Sequence, residues 1–152
     1  MSACSVGATQ VVSLLLTHGA KASLCNSGGR TAAHYASSKG HSAALKLLLV
    51  AGAPADAKDC TGSTCLHRAC GQGQVDCIRL LVAHGASMEA RDKNGCTPLL
   101  AGAHAGQERA CITLAAAGAD LGAKDAEENT VSSLIPHLGA VLVAAAAGEM
   151  DT

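Results

Sequence analysis

Aromatic side chains are almost missing from this 152-residue chain, which contains no Phe, no Trp and a single tyrosine, Tyr35. Proteins that stack on nucleic-acid bases rely on aromatic faces, and small-molecule pockets are usually lined by aromatic and bulky apolar side chains. The composition therefore counts against both kinds of site. Hydrophobic residues still make up 49% of the chain, so we expect a buried core of Ala, Leu, Val and Cys in thin layers.

The chain also lacks an excess of charge of one sign and any long apolar run. It has 11 Lys+Arg against 12 Asp+Glu, so no overall field attracts it to nucleic acid or to a membrane surface. The longest apolar stretch, residues 138–148, is too short to span a bilayer. No Lys or Arg precedes Lys21, so the basic start that is typical of a signal peptide is missing. These features predict a cytoplasmic or nuclear protein whose eight cysteines are reduced thiols.

Glycine and threonine recur along the chain with a constant interval of 33 residues. Four independent series share this interval, so it reflects an internal repeat rather than chance. One glycine series is followed each time by alanine. The four series are Gly7, Gly40, Gly73 and Gly106; Gly19, Gly52, Gly85 and Gly118; Gly29, Gly62 and Gly95; and Thr31, Thr64, Thr97 and Thr130.

Each unit has the pattern of a turn followed by two short helices. In the segment of residues 92–99, Asp92 and Gly95 favour a turn, and Pro98 suits the first position of a helix. A break at Gly106 separates this helix from a second one, which ends before Gly118. Neither helix can bury its apolar face alone, so neighbouring units must stack into one core.

These motifs resemble those of the ankyrin-repeat family, whose repeat length is 33 residues. The resemblance implies an all-α repeat fold, an α-solenoid of helix-turn-helix units joined by β-hairpin-like loops. In the last unit Glu128 replaces the turn glycine, and Pro136 interrupts or ends the first helix. The register predicts a partial N-terminal repeat, three full repeats and a degenerate C-terminal capping repeat with a tail: residues 1–25, 26–58, 59–91, 92–124 and 125–152.

Some segments resemble the gankyrin family more closely than they resemble the general ankyrin pattern. Members of the gankyrin family are chaperones of proteasome assembly. The segments are residues 34–39, 55–59, 66–69, 127–130 and 137–142. This resemblance implies a non-enzymatic protein that binds the C-terminal domain of a proteasomal ATPase subunit. It also matches Lys39 with a basic residue that faces acidic side chains of that domain. A generic ankyrin adaptor, or a kinase-inhibitor-like protein with another target, is the alternative.

Ankyrin arrays bind partners through their hairpin tips and first helices, and the repeat register selects the residues at those positions. Many of them are basic, so we expect a basic stripe, an acidic protein partner and binding that weakens in salt. Alternatively, these charges only solvate the surface, and the Asp that follows several of them neutralises them. The candidate partner-binding residues are Arg30, Tyr35, Lys39, Lys58, Arg68, Gln72, Arg91, Lys93, Asn94, His104, Lys124 and Glu127.

The sequence predicts no catalytic site, no metal site and no cofactor, and it favours a monomer that binds neither nucleic acid nor membranes. Cysteines 60, 65, 70 and 77 lack the spacing of structural zinc sites, and they fit core or turn positions instead. His34 and His67 occupy the repeat position at which the ring ties neighbouring hairpins by hydrogen bonds. We expect Cys60 and Cys96 to be exposed at hairpin tips, where they could oxidise.

Overall fold

The computed structural model describes residues 14–148 and consists of helix pairs that repeat along the chain. Residues 14–17 are helical and precede the first hairpin. The predicted Gly7, most of the partial N-terminal repeat and the last residues of the tail lie outside the described residues. The helices are α1 (Ala32–Lys39), α2 (Ser42–Val50), α3 (Cys65–Gly71), α4 (Val75–Ala83), α5 (Pro98–His104), α6 (Glu108–Ala116), α7 (Val131–Leu134), a 3-10 helix (Pro136–Leu138) and α8 (Gly139–Ala146).

The predicted all-α repeat fold is confirmed for the described part of the chain. The first helices α1, α3, α5 and α7 begin exactly one repeat apart, as do the second helices α2, α4 and α6. Between residues 14 and 148 no β-strand is formed, and the hairpins contain a single isolated bridge, between Cys25 and Thr31. None of the helices in this range is long and apolar enough to cross a membrane.

Each first helix begins at the threonine of the 33-residue series. The Thr31 hydroxyl accepts a hydrogen bond from the backbone N–H of His34, and the His34 ring accepts one from the backbone N–H of Thr31. Thr64 and His67 form the same reciprocal capping box. Thr97 also caps its helix, which begins with Pro98, a residue that loses nothing by lacking an N–H at this position.

The second helices end at the Gly-Ala pairs. Gly52, Gly85 and Gly118 have φ of 92°, 81° and 100°, which is the left-handed region that favours glycine. The alanine after each glycine donates its N–H back into the last helical turn, for example from Ala53 to the Leu48 carbonyl at 2.9 Å. This arrangement satisfies carbonyls that the end of a helix would otherwise leave without partners.

Small side chains fill a core that runs continuously through the stack. Leu45, Leu81 and Leu114 of the second helices are fully buried, and alanines of the first helices lie against them. Cys65, Cys70 and Cys77 are buried in this core as free thiols, whereas Cys60 is exposed. The four cysteines are therefore dispersed between core and surface. Burial raises the pKa of the Cys65 thiol to about 12, so this thiol stays protonated at neutral pH.

Neighbouring hairpins are joined by backbone hydrogen bonds and by histidine rings. The N–H of Cys60 donates to the Gly28 carbonyl at 2.9 Å, and the N–H of Lys93 donates to the Thr61 carbonyl at 3.1 Å. His34 Nε2 lies 3.0 Å from the Ser63 carbonyl oxygen. His67 Nε2 lies 2.8 Å from the Cys96 carbonyl oxygen in the next pair. The predicted histidine ties are confirmed, and each ordinarily contributes on the order of 1 kcal/mol.

The turn glycines are needed for their conformation and for the close approach of the next hairpin. Gly62 has a φ of 77°, and a Cβ atom built there would lie only 3.0 Å from the Lys93 backbone nitrogen. Glu128 takes the equivalent position in the last hairpin with a φ of 65°, which costs a non-glycine residue on the order of 1 kcal/mol. No further hairpin packs against Glu128 in the described residues, so its side chain has room.

The last repeat is shorter than the others. Its first helix, α7, has only four residues and ends at Leu134, and Pro136 opens the 3-10 helix that leads into α8. Proline fixes the local φ and cannot donate a backbone hydrogen bond, so it ends the regular helix here. The sequence expectation for Pro136 is confirmed in the form that the proline lies just past the end of the helix.

We predict that Gly62→Ala destabilises the protein more than Gly52→Ala. Both residues have a positive φ, but nothing lies within 4 Å of a Cβ atom at Gly52, whereas backbone atoms of the next hairpin crowd a Cβ atom at Gly62. Strain at Gly52 alone costs about 1–2 kcal/mol, and the contact at Gly62 adds to it. Urea unfolding of both variants measures the difference, and equal losses would contradict the close approach of the hairpins.

We also predict that unfolding free energy decreases as the pH falls below 6.5, the ordinary pKa of histidine. Burial lowers the pKa of His34 and His67 in the folded state, so the unfolded chain takes up protons first. Their contribution to stability is complete above pH 6.5 and is lost as the pH falls through the lower folded pKa. Unfolding measured across this range in the wild type gives the slope.

The variant His67→Leu tests this assignment, because repeat three has Leu100 at the same position. The His67→Leu variant should show a smaller slope of unfolding free energy against pH. It also loses the hydrogen bond between His67 and the Cys96 carbonyl oxygen. His84→Gln is the control, since His84 is exposed at the end of α4 and its replacement should leave the slope unchanged. A His67→Leu protein with the wild-type slope would show that other groups cause the acid sensitivity.

Candidate protein-binding face

The hairpins and first helices together form one polar face, which we call the hairpin face: residues 26–39, 58–72, 91–105 and 124–130. Each hairpin begins with an Asn or Asp whose side-chain oxygen accepts backbone N–H groups of the same turn. Asp92 Oδ1, for example, accepts from the N–H of Asn94 at 2.9 Å and from that of Cys96 at 3.0 Å. These carboxylates therefore bond first to the backbone of their own turns.

Asp59 anchors two of the predicted partner-binding residues. Arg68 donates to its Oδ2 at 2.5 Å, and Arg30 Nε lies 3.7 Å from the same oxygen. Burial alone would raise the pKa of Asp59, but hydrogen bonds from Thr61 and Arg68 outweigh that cost and hold the pKa well below its ordinary value. The Asp59 side chain has no exposed surface, so the two arginines neutralise a buried charge.

A second set of basic residues binds the backbone of the next repeat. Lys58 Nζ donates to the Arg91 carbonyl oxygen at 2.8 Å. Arg91 occupies the same register one repeat later and donates to the carbonyls of Lys124 and Gly95. Lys124 has no equivalent carbonyl ahead of it in the described residues and pairs with Glu128 at 2.8 Å. These cations form a ladder between repeats, and the structure pairs none of them with the Asp that follows it.

The remaining predicted residues are mostly available to a partner. Lys39 and Gln72 are exposed, occupy the same register at the ends of α1 and α3, and form no side-chain hydrogen bond within residues 14–148. Lys93 and Asn94 are exposed at the tip of the third hairpin. Tyr35 is half-buried, and its hydroxyl accepts a hydrogen bond from Asn26 at 2.7 Å. The available groups are therefore fewer than the sequence suggested.

A cleft of about 450 Å³ opens between the last two hairpins and the end of α5. It brings together four of the predicted residues, Lys93, Asn94, His104 and Glu127. It also contains residues that the sequence analysis did not select for binding. The full lining, which we call the hairpin cleft, is Asp92, Lys93, Asn94, Cys96, Ala101, His104, Asp125, Ala126 and Glu127.

The hairpin cleft is acidic, unlike the basic stripe expected from the sequence. Three carboxylates line it against one lysine, Lys93. His104 Nε2 lies 2.8 Å from Asp125 Oδ2, and this hydrogen bond lowers the pKa of Asp125 to about 2. The prediction of a basic stripe considered the basic residues of the face and did not place Asp92, Asp125 and Glu127 together in one cleft. Folding turns the second oxygen of Asp125 toward the end of α5, a contact that no local pattern reveals.

Cys96 corrects another expectation. The sequence placed it exposed at a hairpin tip, but it is buried, with 7% of its surface accessible, and it packs with Leu100 and Ala123. Burial raises the pKa of its thiol to about 11, and nearby Asp92 adds to the increase. Cys60 is exposed as expected. The two residues differ because Cys60 stands next to the first turn residue, whereas Cys96 lies next to the helix cap.

A family model described as ankyrin repeats, three copies, matches the chain over two overlapping ranges, residues 1–59 and 40–125. The chain belongs to the ankyrin-repeat family. Ankyrin repeats are protein–protein interaction modules and are typically non-enzymatic, so the chain is a module that binds protein partners. No curated protein matches the chain in sequence.

We predict that Arg68→Glu destabilises this ankyrin array, whereas Lys39→Glu does not. The first change places a carboxylate against buried Asp59 and removes its main partner, which costs about 2 kcal/mol or more even for a partly exposed arginine. Lys39 is exposed and unpaired in the described residues, so its replacement should change stability by less than about 0.5 kcal/mol. Urea unfolding followed by circular dichroism compares the two. Equal stability would mean that the Asp59 pair is unimportant.

Proposed function

We propose that this ankyrin array is a gankyrin-like chaperone that binds the C-terminal domain of a proteasomal ATPase subunit. Binding covers an acidic surface of that domain and delays or orders its docking during assembly of the regulatory particle. Such a role is non-enzymatic, and it belongs to the cytoplasm or the nucleus. The proposal rests on the sequence resemblance of residues 34–39 and 137–142 to that family, together with the state of Lys39 in the fold.

The observation that carries the proposal is that Lys39 is free for an intermolecular contact. Five of the seven basic residues in the candidate set are engaged within the array, by Asp59, Glu128 or backbone carbonyls. Lys39 and Lys93 are not. A cation that is already paired gives little to a partner, because the original pair must break first. Lys39 and Lys93 are therefore the residues with which an acidic partner would gain most.

A different observation favours the generic adaptor as a second candidate. The hairpin cleft carries Asp92, Asp125 and Glu127 and would attract a lysine- or arginine-containing segment. A proteasomal ATPase domain with an acidic contact surface does not use such a cleft. Under this alternative the C-terminal half of the hairpin face recognises a basic peptide of another target.

We expect Lys39→Glu and Lys93→Glu to weaken binding of the ATPase C-terminal domain, each by about fivefold or more at low salt. Reversing a charge at a complementary interface turns an attraction into a repulsion. Isothermal titration calorimetry with the purified domain at two salt concentrations measures the change. Salt should weaken wild-type binding more than that of either variant, because screening acts on the charges that have been reversed.

Lys46→Glu is the matched control. Lys46 is exposed on α2, outside the hairpin face. Its replacement by Glu changes the net charge by the same amount as Lys39→Glu. If Lys46→Glu weakens binding as much as Lys39→Glu, the effect comes from overall charge and not from the hairpin face. If the folded wild type does not bind the domain at all, the gankyrin-like role is wrong and the adaptor candidate remains.

A further inference from the structure

The junction between the third and fourth hairpins differs from the two junctions before it. His34 and His67 tie the first and second pairs, but repeat three has Leu100 where a histidine would reach the fourth hairpin. One backbone hydrogen bond, from the N–H of Ala126 to the Asn94 carbonyl, joins the hairpins at 3.1 Å. Arg91 also donates to the Lys124 carbonyl, and His104 Nε2 lies 2.8 Å from Asp125 Oδ2. The His104–Asp125 contact therefore replaces the histidine-to-carbonyl tie of the two earlier junctions.

Three side chains with metal-binding atoms meet at this junction. Cys96 belongs to the third hairpin, His104 to the end of α5 and Asp125 to the fourth hairpin. The Cys96 sulfur, a His104 ring nitrogen and an Asp125 carboxylate oxygen all lie within 4.8 Å of one another. Cys96 and His104 are 8 residues apart and Asp125 follows His104 by 21 residues, so the fold and not a local motif assembles them.

We propose that Cys96, His104 and Asp125 form a zinc site in the hairpin cleft. A set of one sulfur, one nitrogen and one oxygen donor suits zinc, a borderline-soft ion that accepts all three and prefers four-coordinate tetrahedral geometry. Magnesium and calcium prefer oxygen donors alone. Three protein ligands leave the fourth position to water or to a donor from a bound protein.

The distance between the nitrogen and oxygen ligands needs little adjustment. Nitrogen and oxygen ligands of a tetrahedral zinc ion lie about 3.3 Å apart, because each bond is about 2.0–2.1 Å long. His104 Nε2 and Asp125 Oδ2 are 2.8 Å apart in the absence of metal. The two side chains therefore separate by about half an ångström when the ion replaces the proton between them. Zinc binding also removes the thiol proton of Cys96, which passes to solvent, and the neutral His104 ring then carries its single proton on Nδ1 instead of Nε2.

The surrounding hydrogen bonds hold the ligands in position. Asp125 Oδ1 accepts the N–H groups of Glu127 and Asn129 at 2.9 and 3.0 Å, and Asn129 Nδ2 supports Oδ2 at 3.1 Å. The carbonyl of Cys96 accepts from His67. Outer partners of this kind orient metal ligands and strengthen their binding. The open cleft supplies a path from solvent, and its excess of carboxylates attracts a cation.

The experiment uses the full chain, reduced and treated with a chelator, and titrates zinc by calorimetry. We expect saturable binding of one zinc ion and a rise in the thermal unfolding temperature, because the ion links two repeats and binds only the folded state. Cobalt, used as a spectroscopic substitute, should show the absorption band of a cobalt–thiolate bond. Cys96→Ser and His104→Gln should each weaken zinc binding by about tenfold to a hundredfold or more, since loss of an outer partner alone has that effect.

The matched controls are Cys60→Ser and His137→Gln, which remove an exposed thiol and an exposed imidazole outside the cleft. Both should keep the wild-type affinity and the cobalt–thiolate band. The proposal is wrong if Cys96→Ser and His104→Gln proteins that are folded by circular dichroism bind zinc like the wild type. It is also wrong if the wild type binds no zinc in a saturable way. Neither outcome depends on the ATPase domain, so failure here leaves the proposed partner unaffected.

Discussion

The structure depends on how closely one hairpin can approach the next. Gly29, Gly62 and Gly95 present bare backbone to the following turn, and a Cβ atom at each would lie 3.0–3.1 Å from its nearest backbone atom. This contact brings the Cys60 and Lys93 N–H groups within reach of carbonyls one repeat back. It also sets the distance over which His34 and His67 reach carbonyls one repeat ahead. Because these contacts recur from one repeat to the next, the stacked units keep a constant spacing.

The same spacing decides what the charged residues do. Lys58 and Arg91 each donate a hydrogen bond to a backbone carbonyl oxygen one repeat further along the chain. These charged side chains therefore join neighbouring repeats. Arg68 and Arg30 are held by one buried carboxylate, Asp59. Most of the cations on the hairpin face are therefore engaged in bonds within the array. The groups of this face that stay available for a partner are a few exposed residues such as Lys39 and the carboxylates of the hairpin cleft.

The third repeat is where the regular pattern changes. Leu100 replaces the tying histidine and packs with Cys96 and Leu134 in a small apolar cluster separate from the main core. His104 reaches Asp125 instead, from one helical turn farther along α5. A cleft opens where the tie is absent, and polar and sulfur donors collect in it. The candidate partner site and the proposed zinc site both arise from this single departure.

The sequence by itself determined the repeat, its register and the family, because glycine, threonine and alanine are selected by local backbone geometry that recurs in each unit. Threonine caps and Gly-Ala ends act within a few residues, so the helix pairs were predictable from spacing. The shortened first helix of the last repeat was predictable from Pro136 for the same reason. The roles of His34 and His67 were implied by the resemblance to ankyrin repeats.

Only the tertiary structure decided which charges are free and where the donors meet. Asp59 with Arg68, Arg91 with the Lys124 carbonyl, and Cys96 with His104 and Asp125 are contacts between residues 8 to 33 positions apart. Whether such groups meet depends on side-chain direction and on the distance between stacked units, which a linear pattern does not encode. For that reason the burial of Cys96 and the acidic character of the hairpin cleft could not be read from the chain.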